Sequence, residues 1–260
     1  MEKNTNVLDK LITLTRRLAE PERDYVILAE GNTSAKVDDK TFWVKASGRG
    51  MGGIDASGFV EMRFDAVRAV LEGEPLSDDA LKARLAEARV NPATTARPSV
   101  EVMLHAAALT MGGALYVGHT HPTAINAILC AQGAEQAVSG RLFPDEIVIC
   151  GPAPIFVPYT DPGQPLAQEV LRRMLAYLDT YGEPPKVILM QNHGLVALGK
   201  SPEDVEAITA MAVKTARVLQ GAFSLGGPHF LTPEAVARIH SRPDELYRRQ
   251  LLKQQQEKQQ

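Results

Sequence analysis

Apolar side chains recur at helical spacing in several stretches of the chain. Between Val7 and Leu18 they fall mostly three or four residues apart, and Pro21 follows, so this stretch predicts an amphipathic helix. Two later stretches open with Ser201-Pro202 and Thr232-Pro233, where the hydroxyl residue caps the helix and proline takes the first turn. The predicted helices after the first cover residues 65–71, 78–88, 98–111, 124–131, 166–181 and 202–219, and a last one begins after Thr232.

Short apolar runs bounded by glycine, proline or polar residues predict strands. These runs cover residues 25–29, 41–46, 114–117, 146–150, 186–190 and 195–198. The glycine-rich stretch 48–58 and the Pro/Gly-rich stretch 158–164 are predicted loops. The alternation of helices and strands, without an internal repeat or a break in composition, predicts one α/β domain. We assign residues 1–225 to this domain and residues 226–260 to a C-terminal helical extension, whose Gln-rich tail from Gln250 we expect to be frayed helix or disorder.

The composition excludes several classes of protein. The 260 residues include 28 Lys+Arg and 31 Asp+Glu, and 45% are hydrophobic, which is typical of a folded domain. The near-balance of charge argues against a nucleic-acid partner. No apolar run approaches the roughly 20 residues of a membrane span, and the N-terminus does not resemble a signal peptide, so we expect no membrane association and a cytoplasmic location. Cys130 and Cys150 lie outside metal-binding spacings, and we expect both to be buried reduced thiols.

Three histidines form the first candidate for chemistry. His119 and His121 lie two residues apart at the end of a predicted strand, so both rings point to the same face. His193 follows another apolar strand and could supply a third nitrogen from a neighbouring position in the sheet. Three histidines with an open fourth position are typical of a catalytic metal site, with zinc as the first choice and other divalent ions as alternatives. The competing interpretation is a polar turn without a metal.

A carboxylate near the start of a predicted helix is the second candidate. Ser99 is the predicted N-cap of this helix, and Glu101 lies in its first turn, where the helix dipole favours a carboxylate. His105 lies one turn further along the same face and could pair with Glu101 or support the metal site from outside. On the residues alone, a structural role for this pair is equally open.

Two glycine-containing segments offer backbone N–H groups and hydroxyls to an anion. These segments are residues 31–34 and 46–50, each of which follows a predicted strand. Gly48, Gly50 and Gly53 formally match G-x-G-x-x-G. No helix is predicted to begin there and no acidic residue ends a strand about 20 residues later, so the pattern argues weakly for dinucleotide binding.

Five motifs occur in the order seen in the class II aldolase/adducin family, and over residues 8–219 the chain resembles that family. They are Gly31-Asn32-Thr33-Ser34, Lys45-Ala46-Ser47-Gly48, Arg97-Pro98-Ser99-Val100-Glu101 with His105, Gly118-His119-Thr120-His121-Pro122 and Asn192-His193-Gly194-Leu195. Residues 30–54 also resemble the aldolase half of bifunctional rhamnulose-phosphate aldolase/dehydrogenase proteins, and we expect only that half here. The resemblance implies a single three-layer α/β domain with a central mixed, largely antiparallel sheet flanked by helices.

The resemblance also implies a role for each motif residue. His119, His121 and His193 match the family's zinc ligands, Mn²⁺ or Co²⁺ being alternatives, and Glu101 matches its catalytic carboxylate. The residues that match the family's contacts to a substrate phosphate are Gly31, Asn32, Ser47, Gly48 and Ser99. Val100 departs from the family pattern, because the phosphate aldolases usually carry a second serine there. The neighbouring Arg49 offers a charged contact that compensates.

The function implied is that of a zinc-dependent aldolase. Such an enzyme cleaves a ketose phosphate or a related sugar acid through a metal-stabilised enediolate, while Glu101 exchanges the proton. Related members epimerise, decarboxylate or dehydrate sugar phosphates, and these reactions remain alternatives. Tyr159 in the 158–164 turn is a candidate acid, with a surface tyrosine as the simpler interpretation. A non-catalytic adducin-like interaction module is a further alternative, although such modules lose the metal ligands. A homotetramer is expected from the family.

Overall fold

The architecture is taken from a computed structural model, which describes residues 2–242, with side chains from residue 6 onward. The predicted Gln-rich tail lies outside the described residues, and the domain boundary at residue 225 stays a prediction. The helices are α1 Glu2–Leu18, α2 Phe64–Leu71, α3 Asp78–Glu87, α4 Val102–Thr110, α5 Thr123–Leu129, α6 Ala134–Ala137, α7 Pro144–Cys150, α8 Gln164–Tyr181, α9 Pro202–Ser224 and α10 Pro233–Ser241. The strands are β1 Asn32–Lys36, β2 Thr41–Lys45, β3 Phe59–Arg63, β4 Tyr116–Thr120, β5 Ile155–Val157, β6 Val187–Met190 and β7 Gly194–Gly199.

The strands form one seven-stranded sheet in the order β3-β2-β1-β4-β7-β6-β5. Every neighbouring pair is antiparallel except β5 and β6, which are parallel. Alternate residues of the strands point to opposite faces, so the sheet has an apolar cluster on each side. One cluster includes side chains from α2, α3, α4 and α8, and the other includes side chains from α1, α5, α7 and α9. The predicted three-layer domain with a largely antiparallel mixed sheet is therefore confirmed.

The register of the central strands places the chemistry-bearing residues side by side. Asn32 of β1 lies opposite His119 of β4, and His119 lies opposite Val196 of β7. Because directly opposed residues point to the same face, the Asn32 and His119 side chains share the face that α4 covers. The turn between β6 and β7 brings His193 to the same end of the sheet.

The strand predicted over residues 25–29 is wrong, because this segment forms turns without strand pairing. Ile27 and Leu28 are 64% and 91% exposed, so the apolar run does not enter the core as a strand would. Asp24 and Leu28 adopt left-handed backbone conformations that fold the chain back on itself. The strand begins instead at Asn32, so most of the segment predicted as an anion-binding loop, residues 31–34, is the start of β1.

The strand predicted over residues 146–150 is also wrong, because these residues belong to helix α7. Proline at the first helical position presets the backbone, and Asp145 and Glu146 in the first turn suit the positive end of the helix dipole. Glu146 also accepts hydrogen bonds from Arg141 and from the Leu142 N–H, at 2.7 and 2.8 Å.

Strands β3 and β5 were not predicted, because their few apolar residues lie next to helical or loop patterns.

Three smaller expectations can be compared with the structure. Ser201 and Thr232 cap α9 and α10 as predicted. Ser99 does not cap α4, which begins at Val102, so the predicted start of this helix is three to four residues too early. Cys150 is buried as expected, but Cys130 is exposed. Within residues 2–242, no helix is long and apolar enough to cross a membrane.

Candidate active site

The three predicted histidines converge at one end of the sheet. His119 lies in β4, His121 directly follows that strand, and His193 lies in the turn between β6 and β7. Their ring centroids are 4.7 to 5.3 Å apart, and one nitrogen from each ring lies within 4.8 Å of the others. The side chains are 1%, 21% and 14% exposed, respectively, so the cluster is largely buried but not fully closed to solvent.

Hydrogen bonds on the far side of two rings fix their tautomers. Nδ1 of His119 lies 2.9 Å from the Leu195 carbonyl oxygen, and Nδ1 of His121 lies 3.2 Å from the Glu30 carboxylate. A carbonyl or a carboxylate oxygen only accepts, so each Nδ1 carries the proton and each Nε2 presents a lone pair. The two Nε2 atoms are 3.0 Å apart, which leaves two lone pairs in close contact unless a cation lies between them. Ligand atoms around a tetrahedral zinc ion lie roughly 3.4 Å apart, so this donor set fits a metal ion.

The Glu101 carboxylate completes the cluster from the other side. Its Oε1 lies 3.0 Å from Nε2 of His193 and 3.4 Å from Nε2 of His119. Its Oε2 accepts a hydrogen bond of 2.6 Å from the side-chain amide of Asn32. Glu101 itself occupies the N-cap position of α4. Helix α4 therefore presents the carboxylate to the histidines, and Asn32 fixes its orientation.

A chain of hydrogen bonds, here called the relay, runs from Ser34 through His105 and Asn32 to Glu101. The Ser34 hydroxyl donates to Nδ1 of His105 over 2.6 Å, Nε2 of His105 donates to the side-chain oxygen Oδ1 of Asn32, and the side-chain NH₂ group of Asn32 donates to Glu101. Burial, together with repulsion from His119, lowers the pKa of His105 to about 3, so this ring stays neutral. The His105 side chain thus acts on the Glu101 carboxylate through Asn32, while the backbones of the two residues are joined by the helical hydrogen bond of 3.2 Å from the His105 N–H to the Glu101 carbonyl oxygen.

The ionisation states of the cluster follow from burial and mutual charge. Burial disfavours the charged form of Glu101, but His119 and His193 outweigh it and hold the pKa of this carboxyl well below its usual range. Burial acts against protonation of His119 as well, yet the neighbouring Glu101 raises the pKa of that ring. Burial and the proximity of His119 and His193 lower the pKa of His121 to about 3. The carboxylate is therefore ionised and the His121 ring is neutral, whereas Glu101 favours protonation of His119, a proton that a bound cation would displace.

Two glycines allow the close approach of the chain segments that carry these residues. A side chain at Gly194 would place its Cβ 2.6 Å from the Thr120 carbonyl oxygen and 2.7 Å from the His121 ring. Gly31 has a φ of +71°, and a Cβ there would lie 2.8 Å from the His119 carbonyl oxygen. Both contacts are too short for any residue with a side chain, so these glycines maintain the packing around the histidines.

Of the residues predicted to contact a phosphate, Asn32 lies in β1 directly after Gly31, and the other three lie on two segments that run next to each other, Ser47 and Gly48 on one and Ser99 on the other. The Ser47 N–H donates to the Arg97 carbonyl oxygen over 2.8 Å, which ties the loop containing Gly48 to the segment before α4. The Ser99 hydroxyl accepts a hydrogen bond of 3.3 Å from the Glu101 N–H. Ser47, Arg49 and Arg97 line an open cavity of about 670 Å³ together with other polar side chains.

Tyr159, the predicted acid, lies in the expected turn but does not contact the histidines. Its side chain is 58% exposed, and its hydroxyl donates to the Asp161 carboxylate over 3.1 Å. This hydrogen bond raises the pKa of Tyr159. Its backbone N–H donates to the Gln191 side chain, which precedes His193 by two residues. The structure thus brings Tyr159 near the histidine turn through the backbone alone.

Two charged residues beside the cluster were not predicted to have a role. Glu30 contacts His121, and no pattern in the sequence identified this carboxylate because it directly follows a misassigned strand. Lys45 is 2% exposed, and its only acceptor among the described residues is the Ala46 carbonyl oxygen at 3.4 Å. Burial lowers the pKa of Lys45, although the charge of Glu101 opposes this effect. A lysine within an otherwise apolar strand, residues 41–46, was the signal that could have identified it.

Residues 9–219 match the family described as Class II Aldolase and Adducin N-terminal domain. An uncharacterized oxidoreductase of Bacillus subtilis (strain 168), YuxG, is 30% identical over 181 residues, which cover 66% of this chain and 24% of YuxG. The chain therefore spans about a quarter of the length of that relative.

Two solved structures have the same fold. The N-terminal class II aldolase domain of a conserved Thermoplasma acidophilum protein is 27% identical with a TM-score of 0.63, and the match covers 81% of this chain and 92% of that domain. An L-fuculose 1-phosphate aldolase is 18% identical with a TM-score of 0.67, and the match covers 91% of this chain and 95% of that enzyme.

Proposed function

Because this chain belongs to the class II aldolase and adducin family, we propose that it is a metal-dependent lyase that cleaves a carbon–carbon bond of a ketose phosphate or a related sugar acid. The observation that carries this proposal is the contact of an ionised, oriented Glu101 with the nitrogens of His119 and His193. A non-catalytic interaction module has no need of a buried carboxylate supported by a hydrogen-bond relay.

His119, His121 and His193 would hold the metal ion, which we propose to be zinc, with manganese or cobalt as alternatives. When bound, the ion would supply a Lewis acid that draws electron density from a carbonyl and an adjacent hydroxyl oxygen of the substrate. One nitrogen of each histidine lies within 4.8 Å of the others, so small side-chain adjustments would bring them to the roughly 3.4 Å that separates ligand atoms around a tetrahedral zinc ion.

Glu101 moves the proton in this proposal. The low pKa of its carboxyl keeps it ionised at neutral pH, so it is ready to accept a proton. In the cleavage direction, the leaving fragment loses its hydroxyl proton as it becomes an aldehyde, and the electron pair of the broken carbon–carbon bond stays on the fragment that carries the carbonyl. Glu101 then delivers a proton to that carbon, and in the reverse direction it accepts this proton. Asn32 engages one carboxylate oxygen, which leaves the other for this transfer.

The substrate phosphate would lie against Gly31, Asn32, Ser47, Gly48 and Ser99. The cavity lined by Ser47, Arg49 and Arg97 does not include the histidines, but its two guanidinium groups could form strong charge-assisted hydrogen bonds with phosphate oxygens. These arginines would replace the hydroxyl that is missing at Val100. Tyr159 as an acid, the homotetramer and the cytoplasmic location remain predictions.

A glutamine substitution at position 101 tests the role of the carboxylate. Glu101→Gln keeps the size of the side chain and removes the proton acceptor, so turnover should fall by about a thousandfold or more, while the bound metal stays near wild-type stoichiometry. Metal content by elemental analysis and activity on a panel of ketose 1-phosphates, ketose 5-phosphates and keto acids are measured together. Full activity of Glu101→Gln would refute the assigned role.

The same panel separates the proposed lyase from its rivals. Release of a triose or another short aldehyde identifies an aldolase, and a product of unchanged mass identifies an epimerase. A wild-type protein that carries no divalent ion and gains no thermal stability on addition of zinc would contradict the proposal in favour of an interaction module.

Tyr159→Phe is tested on the active substrate, where loss of a proton donor should lower kcat at least tenfold.

A further inference from the structure

The loop from Asp24 to Glu30 packs directly against His121. The His121 N–H donates to the Tyr25 carbonyl oxygen over 2.9 Å, and the Thr123 hydroxyl donates to the Asp24 carboxylate over 3.1 Å. The loop is thus anchored at the His121 backbone and at Thr123 independently of the Glu30 side chain.

Within this loop, the Glu30 carboxylate makes two contacts with different oxygens. Oε1 accepts a hydrogen bond of 2.7 Å from the Ile27 N–H, which closes the turn, and Oε2 lies 3.2 Å from Nδ1 of His121. The Glu30 side chain is 30% exposed. One oxygen therefore holds the carboxylate in place, and the other faces the ring.

We propose that Glu30 is a positioning residue that holds His121 in the tautomer required to bind a metal. By accepting the Nδ1 proton, the carboxylate leaves the lone pair on Nε2, which faces Nε2 of His119 at 3.0 Å. This inference rests on the metal centre of the proposed function. It assigns to Glu30 a role that neither the family match nor the three-histidine cluster supplies.

Glutamine at position 30 would break this arrangement while preserving its shape. An amide has one acceptor oxygen and one NH₂ group, whereas Glu30 accepts two hydrogen bonds at once. If the amide oxygen faces Ile27, the NH₂ group meets the Nδ1–H of His121. A reversed amide would keep the His121 contact but lose the 2.7 Å hydrogen bond to Ile27 that closes the turn, so we expect the ring to move its proton to Nε2 or to turn away, and either change removes a metal ligand.

Asp24 offers a matched control in the same loop. Asp24→Asn removes the same charge from the same loop, yet asparagine can still accept the hydrogen bond from Thr123 and tolerates the left-handed backbone at this position. Because Asp24 does not contact the His121 ring in the described structure, this variant reports the effect of lost charge and altered loop stability without a change of tautomer.

Two measurements on the full chain test the proposal. The first is zinc affinity by competition with a chromophoric chelator, for which Glu30→Gln should bind zinc 10 to 100 times more weakly and Asp24→Asn within about twofold of wild type. The second is the tautomer of His121 in the metal-free protein, read from long-range ¹H–¹⁵N spectra of the imidazole nitrogens. Wild type and Asp24→Asn should give the Nδ1–H pattern for His121, and Glu30→Gln should lose it.

The outcomes distinguish this inference from the proposed function. If the wild type binds zinc and Glu30→Gln binds it equally well with an unchanged His121 spectrum, the positioning role is refuted and the metal centre stands. An equal loss of affinity in Asp24→Asn and Glu30→Gln also refutes it, because loop charge alone would then account for the effect. If the wild type binds no zinc, the metal centre and the positioning role both fall.

Discussion

Two parts of the candidate site are built in contrasting ways. One part, here termed the metal half, consists of His119, His121, His193 and Glu101. The other part, the anion half, consists of Ser47, Gly48, Arg49, Arg97 and Ser99. Side chains of the metal half are at most 21% exposed and each contacts another member of the cluster. In the anion half, Ser47, Gly48, Arg49 and Arg97 are exposed and lie on loops.

This difference indicates how the two halves would contribute to the reaction. A metal centre requires ligands fixed within a fraction of an ångström, and strand register together with buried hydrogen bonds provides that precision. A substrate anion is bound by several exposed donors, each of which contributes a modest amount. Substitutions in the metal half should therefore affect metal affinity, turnover or folding stability strongly, whereas those in the anion half should affect KM and leave the fold intact.

The largest effect is expected from loss of a metal ligand. His193→Ala leaves two histidines, so zinc affinity should fall by at least about a thousandfold and the thermal stabilisation by zinc should disappear. Chelator competition measures the zinc affinity, and thermal melts with and without zinc measure the stabilisation. His229→Ala is the matched control, because His229 is exposed and lies outside the cluster. Unchanged zinc affinity in His193→Ala would remove this residue from the metal half.

The relay beneath Glu101 should make the metal-free protein sensitive to acid. The pKa of His105 is about 3 in the folded protein and about 6.5 when unfolded, so between these values the unfolded state binds one more proton. Stability is therefore lost as pH falls, by about 1.4 kcal/mol per pH unit from this residue. Urea unfolding between pH 6 and 4 gives the free energy of unfolding at each pH. This free energy should fall less steeply in His105→Asn than in wild type, by about 1.4 kcal/mol per pH unit. Parallel curves for the two proteins would contradict a buried neutral His105.

Much of the metal half was predictable from local sequence. The two-residue spacing of His119 and His121 at a strand end implies a shared face, and His193 at the end of another strand could reach the same edge. The spacing along the chain cannot predict the register of β1, β4 and β7, because long-range pairing sets it. The relay from Ser34 through His105 depends on that register and was not predicted.

The wrong assignments share a physical cause. In residues 25–29, an apolar run indicated a strand, but contacts with His121 and Thr123 hold this segment as a loop with two exposed apolar side chains. In residues 146–150, an apolar run again indicated a strand, although Pro144 and the acidic first turn begin a helix. Short apolar runs fit either structure, and tertiary contacts or start signals decide between them. The contact between Glu30 and His121 was hidden by the first of these errors.

A smaller effect is expected from the charged part of the anion half. The Arg97 side chain has no hydrogen-bond or ion-pair partner within residues 6–242, so its guanidinium is available to a substrate anion. Arg97→Ala should raise KM for the phosphorylated substrate about tenfold, with kcat within twofold and zinc affinity unchanged. Arg84→Ala, which removes an exposed arginine from α3, is the control. A fall in kcat without a change in KM would assign Arg97 to the metal half instead.

The smallest effect, and the sharpest test of the division, comes from the two serines. Ser47 has no side-chain hydrogen bond within the described residues, whereas the Ser99 hydroxyl accepts the Glu101 N–H. Ser47→Ala should raise KM about threefold, the value of one neutral hydrogen bond, and leave kcat and the melting temperature unchanged. Ser99→Ala should show a similar rise in KM together with a lower kcat, because the Glu101 backbone loses a restraint. Identical kinetic parameters for the two variants would mean that Ser99 does not connect the halves and that substrate binding and Glu101 orientation are independent.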